Sequence, residues 1–459
     1  MTLNGLLTAA VMAISYVAAE EPAPPGTDPA AATIKGGDPY LFRSVGVLGE
    51  RIAGILHVEK LPGLVAVRAD ESVRSQEALA RARALLSPEV AAARGRAWSD
   101  LGLGSGREPE ELVAAIERDL DGVTFDAARG RLLVDPARMR PDVGHANPDE
   151  DADASILLTT GVAPDEPVVG HYLAHAFVDG PAIEGPVTTD ALLARSAWAE
   201  GTANLAALVL LFGGVGLESE VVSGAVRPEE TLDGRLVPSV MRQGSPVVSS
   251  FLEFVYLDGF AQASSIARKG GFSRLAQDRK LRRTTRDVLH LDRPAAPAQV
   301  VVEPTSPYPS GLVAADRDSL GEQGIITMVS LLTGKDNLGL IAGDGWVADA
   351  LWRYEPAPGA TSPSPDGATV WVTQWTTDED AKDMSYALER CLQARFPGAS
   401  LEEDPQTGGR LLRRADRVYR IDRNGIQVAF RVVPLALDGK SGPAAKKKVT
   451  PRQQSAPKK

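Results

Sequence analysis

The sequence predicts an α+β protein: a mainly helical core between a small β-hairpin and a C-terminal α/β unit. Three patterns carry that reading. Long apolar-periodic runs (Gln76 to Leu86, Glu108 to Leu120, Thr188 to Phe212) dominate the first two thirds. Two short β-prone runs flank Asp126 to Gly130 within Gly122–Val134. The last third then turns to strand-like runs around a single amphipathic helix, Asp378 to Phe396.

Taken in order, residues 1–19 read as an export signal. Leu6 to Ala19 is apolar and rich in small residues, and Val17-Ala18-Ala19 before Glu20-Glu21 resembles a cleavage site. Nothing before Leu6 is Lys or Arg, so an uncleaved short anchor is the alternative. Pro, Gly and Ala fill 20–40, the composition of a linker. A helical region with the hairpin follows over 41–150. Its Gly102-Leu103-Gly104-Ser105-Gly106 stretch is a loop, because no strand precedes it and no Lys-Ser/Thr follows, as a phosphate loop requires.

The second region, 151–300, opens with a strand expected at Ser155 to Thr160. A helix is expected over Asp165 to Asp179, with Pro167 tolerated in its first turn, and another over Thr188 to Phe212. The third region, 301–436, is expected to hold strands at Leu340 to Tyr354 and Thr369 to Gln374. A closing hairpin is expected over Arg410 to Val433, turning at Arg423-Asn424-Gly425. Residues 437–459 form a basic tail expected to be disordered.

Charge and cysteine usage narrow the function classes. The chain of 459 residues carries a net charge of −11, yet Lys440 to Lys459 holds seven basic residues and no acid. An acidic body without a nucleic-acid motif argues against DNA or RNA as partner; the tail is suited to an anionic surface. No run approaches the roughly twenty apolar residues of a membrane span. Cys391 is the lone cysteine, which excludes an intramolecular disulfide and a Cys-based zinc site.

The chemistry-bearing signal is His171-Tyr172-Leu173-Ala174-His175, with Glu200 25 residues after His175. Histidines at i and i+4 share one helical face and bind Zn²⁺ through imidazole nitrogen in HExxH peptidases. The glutamate inside that motif is the general base that activates the attacking water. Here Tyr172 stands in its place, and a phenol with a pKa near 10 is a poor base at neutral pH. Two helices joined by Gly180 to Val187 would bring both histidines and Glu200 to one point. Asn204, one turn after Glu200, and Asp179, one turn after His175, are candidates to hydrogen-bond the ligands.

Several segments in sequence order resemble a family of bacterial, mostly exported HExxH zinc-metallopeptidase-like proteins, similar to gluzincins in taking a glutamate as third ligand. The counterparts are Gly122-Val123-Thr124-Phe125-Asp126-Ala127, His171 to Asp179 and Glu200-Gly201-Thr202-Ala203. Beyond them lie Phe254-Val255-Tyr256-Leu257-Asp258-Gly259-Phe260, Gly270-Gly271-Phe272, Thr284-Thr285-Arg286-Asp287-Val288-Leu289-His290, Gly345-Trp346 with Asp349, and Trp375 to Ala381. The resemblance implies a zincin-like helical core, Zn²⁺ on His171, His175 and Glu200, and His290 near the reacting group. Two departures fall where the family's pattern would put chemistry: Tyr172 replaces the base, and Arg286 replaces an acid.

The reading that results is an extracytoplasmic, periplasmic or secreted, metallopeptidase-like protein that keeps a zinc site, binds peptide or protein, and has lost cleavage. Two alternatives stand beside it. One is an active zinc hydrolase whose base comes from elsewhere, for example Asp179 or Asp287. The other is a structural envelope protein without metal.

Overall fold

The computed structural model describes residues 39–58, 65–117, 122–126, 129–135, 165–178, 187–212, 218–231, 234–278, 284–293, 312–357, 359, 367–405 and 407–438. The export segment, most of the linker, the strand expected at Ser155 to Thr160, Asp179 and the basic tail after 438 lie outside these residues. Within them the protein is α+β, with two sheets.

The N-terminal part comprises helices α1 (Pro39–Leu56), α2 (Glu71–Leu85), α3 (Pro88–Leu101) and α4 (Glu108–Ile116), and strands β1 (Val65–Arg68), β2 (Val123–Asp126) and β3 (Arg131–Val134). The expected hairpin forms, with Val123 opposite Val134 and Asp126 opposite Arg131. β1 adds a third strand parallel to β3. Helix α1 begins inside the stretch expected to be linker. Val45, Leu48, Ile52 and Leu56 recur at helical spacing and are buried, so tertiary packing makes this segment a core helix. In the glycine-rich loop, Gly102, Gly104 and Gly106 all have positive φ. The loop wraps the chain's own Glu108, whose carboxylate accepts from Ser105 N (2.8 Å) and Gly106 N (2.7 Å).

The central part is built on α5 (Asp165–Val178), α6 (Thr189–Leu211), α7 (Pro246–Glu253), a π-helical turn (Phe254–Asp258), α8 (Gly259–Asp278) and α9 (Thr285–Leu289), with short helical turns at Glu218–Ser223, Pro228–Glu230 and Val240–Gln243 between α6 and α7. Thr188 caps α6 by accepting from Ala191 N. Helix α6 is apolar on every side and buried along nearly its whole length, which marks it as the axis of the molecule. Helices α5, α8, α9 and the π turn all pack on it. Gly270 and Gly271 leave helical dihedrals and kink α8.

The C-terminal unit is one seven-stranded sheet in the order β4-β5-β6-β10-β9-β8-β7. Its elements are β4 (Leu312–Asp318), α10 (Gly321–Thr333), α11 (Asp336–Gly343), β5 (Trp346–Pro356), β6 (Ala368–Trp375), α12 (Asp378–Arg395), β7 (Glu402–Glu403), β8 (Arg410–Arg414), β9 (Arg417–Asn424) and β10 (Gln427–Pro434). Two expectations need correction here. Residues 340–343 are helical, and the strand begins only at Trp346. Gly339 and Gly343, one helical turn apart, press α11 against α10, where a Cβ would run into Ser330 and Ile326. The closing hairpin is three strands, with Ala415 at a left-handed φ of 53° in the turn between β8 and β9. One apolar core runs from Val45 through Val432, shared by all three parts.

Candidate metal centre

The centre is built from two helices. Helix α5 places His171 and His175 four residues apart on one face, with ring centroids 4.7 Å apart. Helix α6 brings Glu200 against that face. The two imidazole Nε2 atoms lie 3.0 Å apart. Glu200 Oε2 is 3.2 Å from His171 Nε2, and Oε1 is 3.6 Å from His175 Nε2. All three side chains are buried. Among the described residues, these form the one group of three or more His, Cys, Asp or Glu side chains whose ligand atoms all lie within 4.8 Å of one another.

A metal fits this set on geometry. Donor atoms about 2.0–2.1 Å from a tetrahedral ion stand about 3.3 Å from one another; separations of 3.0, 3.2 and 3.6 Å bracket that edge. Burial is the largest influence on His171 and lowers its proton affinity, against the pull of Glu200. Burial alone would raise the Glu200 carboxyl, but the charge at His175 and the close approach of both imidazoles outweigh it and hold it at about 2. A neutral imidazole and an ionised carboxylate are the states that ligate. Glu200 Oε2 is also buried, and although His171 Nε2 stands 3.2 Å away no donor meets it in hydrogen-bond geometry, which leaves it an acceptor for a cation.

The surroundings of the ligands come from the same helices. Asn204 faces His171 and favours its protonated form through the side chain. His171 Nδ1 and both amide atoms of Asn204 are buried without a hydrogen-bond partner. Tyr172 is buried against the histidine pair, its ring 5.1 Å from that of His171 and 5.7 Å from that of His175. No second carboxylate joins the ligand group among the described residues.

The other predicted site residues separate from this point. His290 Nε2 bonds Glu322 Oε1 at 2.7 Å. Its segment is anchored by Thr285, which donates through N and Oγ1 to Asp190. Asp190 precedes Glu200 by ten residues of one helix, about 15 Å along the axis. Asp287, an alternative base, is instead half of a capping box: its Oδ2 accepts from Thr284 N and Oγ1. Asp179 lies outside the described residues.

Two features of the site go beyond the sequence reading. Tyr256, on the π turn, is 1% exposed and lies close enough to Glu200 to feel its charge. Burial pushes that phenol well above its ordinary range, with the negative charge of Glu200 adding to the effect. Asp190, at the start of α6, is buried with Oδ2 unpartnered. Burial, with help from Asp349 and Asp287, raises its carboxyl to about 8 against the hydrogen bonds from Thr285. The sequence signal for Tyr256 was present in the Phe254–Phe260 segment, but spacing alone gives no role to a tyrosine 56 residues from Glu200.

Neither a curated protein nor a solved structure matches the chain. One family does match: a domain of unknown function, DUF8575, over residues 310–441, a span that takes in β4 through β10 and leaves out α5 and α6 with the three candidate ligands.

Proposed function

We propose that this chain is a metallopeptidase-like protein, exported from the cytoplasm, that holds Zn²⁺ on His171, His175 and Glu200 and binds peptide or protein without cleaving it. The observation that carries the metal reading is the convergence of three buried donor atoms at 3.0 to 3.6 Å. Zinc in such a set supplies Lewis-acid polarisation. The zincin-like character of the helical core, the export and the peptide ligand rest on the sequence resemblance and on the N-terminal segment.

The loss of cleavage rests on Tyr172. General base work contributes about 10²–10⁴ in rate, and a phenol does not supply it at neutral pH. Asp287, the alternative base among the described residues, is committed to capping α9.

The test is elemental analysis of purified protein beside His171→Ala, followed by incubation of the zinc-loaded wild type with casein. About one equivalent of zinc in the wild type, none in the variant and intact casein are expected. Wild-type protein that takes up no zinc ends the metal reading. Chelator-sensitive cleavage that disappears in Glu200→Ala ends the non-cleaving one.

A further inference from the structure

Helix α11 turns its small residues inward and its large ones outward. Gly339, Ala342 and Gly343 are buried, and a Cβ on either glycine would run into Ser330 or Ile326 of α10. Leu340 and Ile341, by contrast, are 56% and 52% exposed, and Leu331 on the last turn of α10 is 43% exposed. A surface helix of an isolated protein places its large apolar side chains on the core side. One exposed leucine needs no explanation, but three large apolar side chains on a single two-helix hairpin mark a surface made to be covered.

The same hairpin carries charge of both signs. Lys335 stands in the turn between α10 and α11, and Asp336 opens α11; both are exposed. Neither side chain meets an opposite charge among the described residues. With Asn337, Leu338 and Ile341 they line one hollow. Such a surface is complementary to itself. When two copies meet about a two-fold axis every contact is made twice, so Lys335 in one copy pairs with Asp336 in the other, and the reverse. Leu340 and Ile341 of both copies then leave water together. A ligand bearing one sign of charge would satisfy only half of this pattern.

We propose that the α10–α11 hairpin is a self-association surface on which two copies of this chain pair about a two-fold axis, with Leu340 and Ile341 packed together and Lys335 and Asp336 forming reciprocal ion pairs. The proposal stands apart from the metal centre and uses none of its ligands. Charge across such a contact sets orientation and excludes wrong partners more than it adds affinity. A contact built on one short hairpin gives a concentration-dependent dimer rather than a permanent one.

The experiment is sedimentation velocity of the full chain over a range of concentrations, with folding checked by far-ultraviolet circular dichroism. Wild type should pass from monomer to dimer as concentration rises. Lys335→Asp sets acid against acid across the axis and should weaken the dimer by more than about tenfold; Asp336→Lys should do the same with cations. The double exchange, Lys335→Asp with Asp336→Lys, restores both pairs and should dimerise like wild type. Mixed in equal amounts, the two single variants should form a heterodimer, because every pair across it is then of opposite sign. Leu340→Glu, at a position exposed in the monomer, should abolish dimerisation and leave the circular dichroism unchanged. Wild-type protein that stays monomeric overturns the proposal. So does a dimer that the single reversals leave intact, and so does a double exchange as weak as either single one. Monomeric wild type that floats with phosphatidylcholine vesicles would also overturn it and give the apolar face to a lipid surface.

Discussion

At the scale of single residues, burial decides what each titratable group can do. Glu200 and Asp190 lie on one helix, both buried, and are driven in opposite directions. Glu200 meets two imidazoles and stays ionised; Asp190 meets two further acids and is raised to about 8. The second shift has a measurable consequence for stability. An unfolded Asp titrates near 3.9, so between roughly pH 4 and 8 the folded state holds a proton that the unfolded chain has released. Stability from this group is full at low pH and is lost as pH rises through about 8. Asp190→Asn keeps an acceptor for Thr285 and removes the titration. Its melting temperature should fall less between pH 5 and 8 than that of wild type. Asp349 and Glu322 are raised as well, burial being the main cause for each, so the slope should shrink rather than vanish. Parallel melting curves for the two proteins across that range would refute the assignment.

Among elements, what was legible in the sequence follows from how local the cause is. Helices α6 and α12 were readable because their caps and periodicity are local: Thr188 caps one, and Thr377 with Asp380 forms a capping box on the other. The histidine pair was readable for the same reason, since i, i+4 spacing is a property of one helix. Helix α11 was not: its apolar run Leu338 to Ala342 reads equally as strand, and its packing against α10 depends on two glycines that only tertiary contact explains. The π turn was invisible because nothing in Phe254 to Asp258 distinguishes it from an ordinary helix. Helices α6 and α8 cross beside Glu200, and that crossing can be tested directly. In Gly201→Ala the usual gain in helix propensity, about 1 kcal/mol, is opposed by overlap with the Gly259 carbonyl, which is backbone and cannot rotate away. Overpacking of this kind costs about 1–3 kcal/mol. We expect a net loss in urea unfolding and weaker Zn²⁺ binding together. A Gly201→Ala protein more stable than wild type would show that the two helices do not touch as described.

For the whole molecule, the sequence reading divided the chain into three regions, and the described residues show how they are tied. Asp318, at the end of β4, is buried with four calls on its carboxylate. Oδ1 accepts from Thr189 N (2.7 Å) and Oδ2 from Thr189 Oγ1 (2.8 Å), closing the N-terminus of α6. Oδ2 also accepts from Trp98 Nε1 on α3 (3.2 Å), and Oδ1 stands 3.5 Å from Arg94 Nη1. Arg94 in turn grips Asp316 through Nε and Nη2 and donates to Val187 O, just before α6. A side chain of the C-terminal sheet therefore fastens the helix that carries Glu200 to the N-terminal helices. No pattern in sequence announces this, because the partners are more than 90 residues apart and each alone reads as a surface charge. Truncating Asp318 leaves the N-terminus of α6 and Trp98 Nε1 without their acceptor and takes one of two carboxylates from the buried Arg94, which keeps Asp316; breaking a buried pair outright costs about 3–5 kcal/mol. Because Arg94 keeps Asp316, Asp318→Ala should lose toward the lower end of that range, about 3 kcal/mol, in urea unfolding. Asp318→Asn, which retains an acceptor for Thr189 but not the charge facing Arg94, should lose less. Since the bond network joins α3, α6 and β4, far-ultraviolet circular dichroism and tryptophan fluorescence should report the loss at the same urea concentration. Separate transitions by the two probes would mean that the sheet and the helical core unfold independently, and that Asp318 is a local cap on α6 rather than the tie between them.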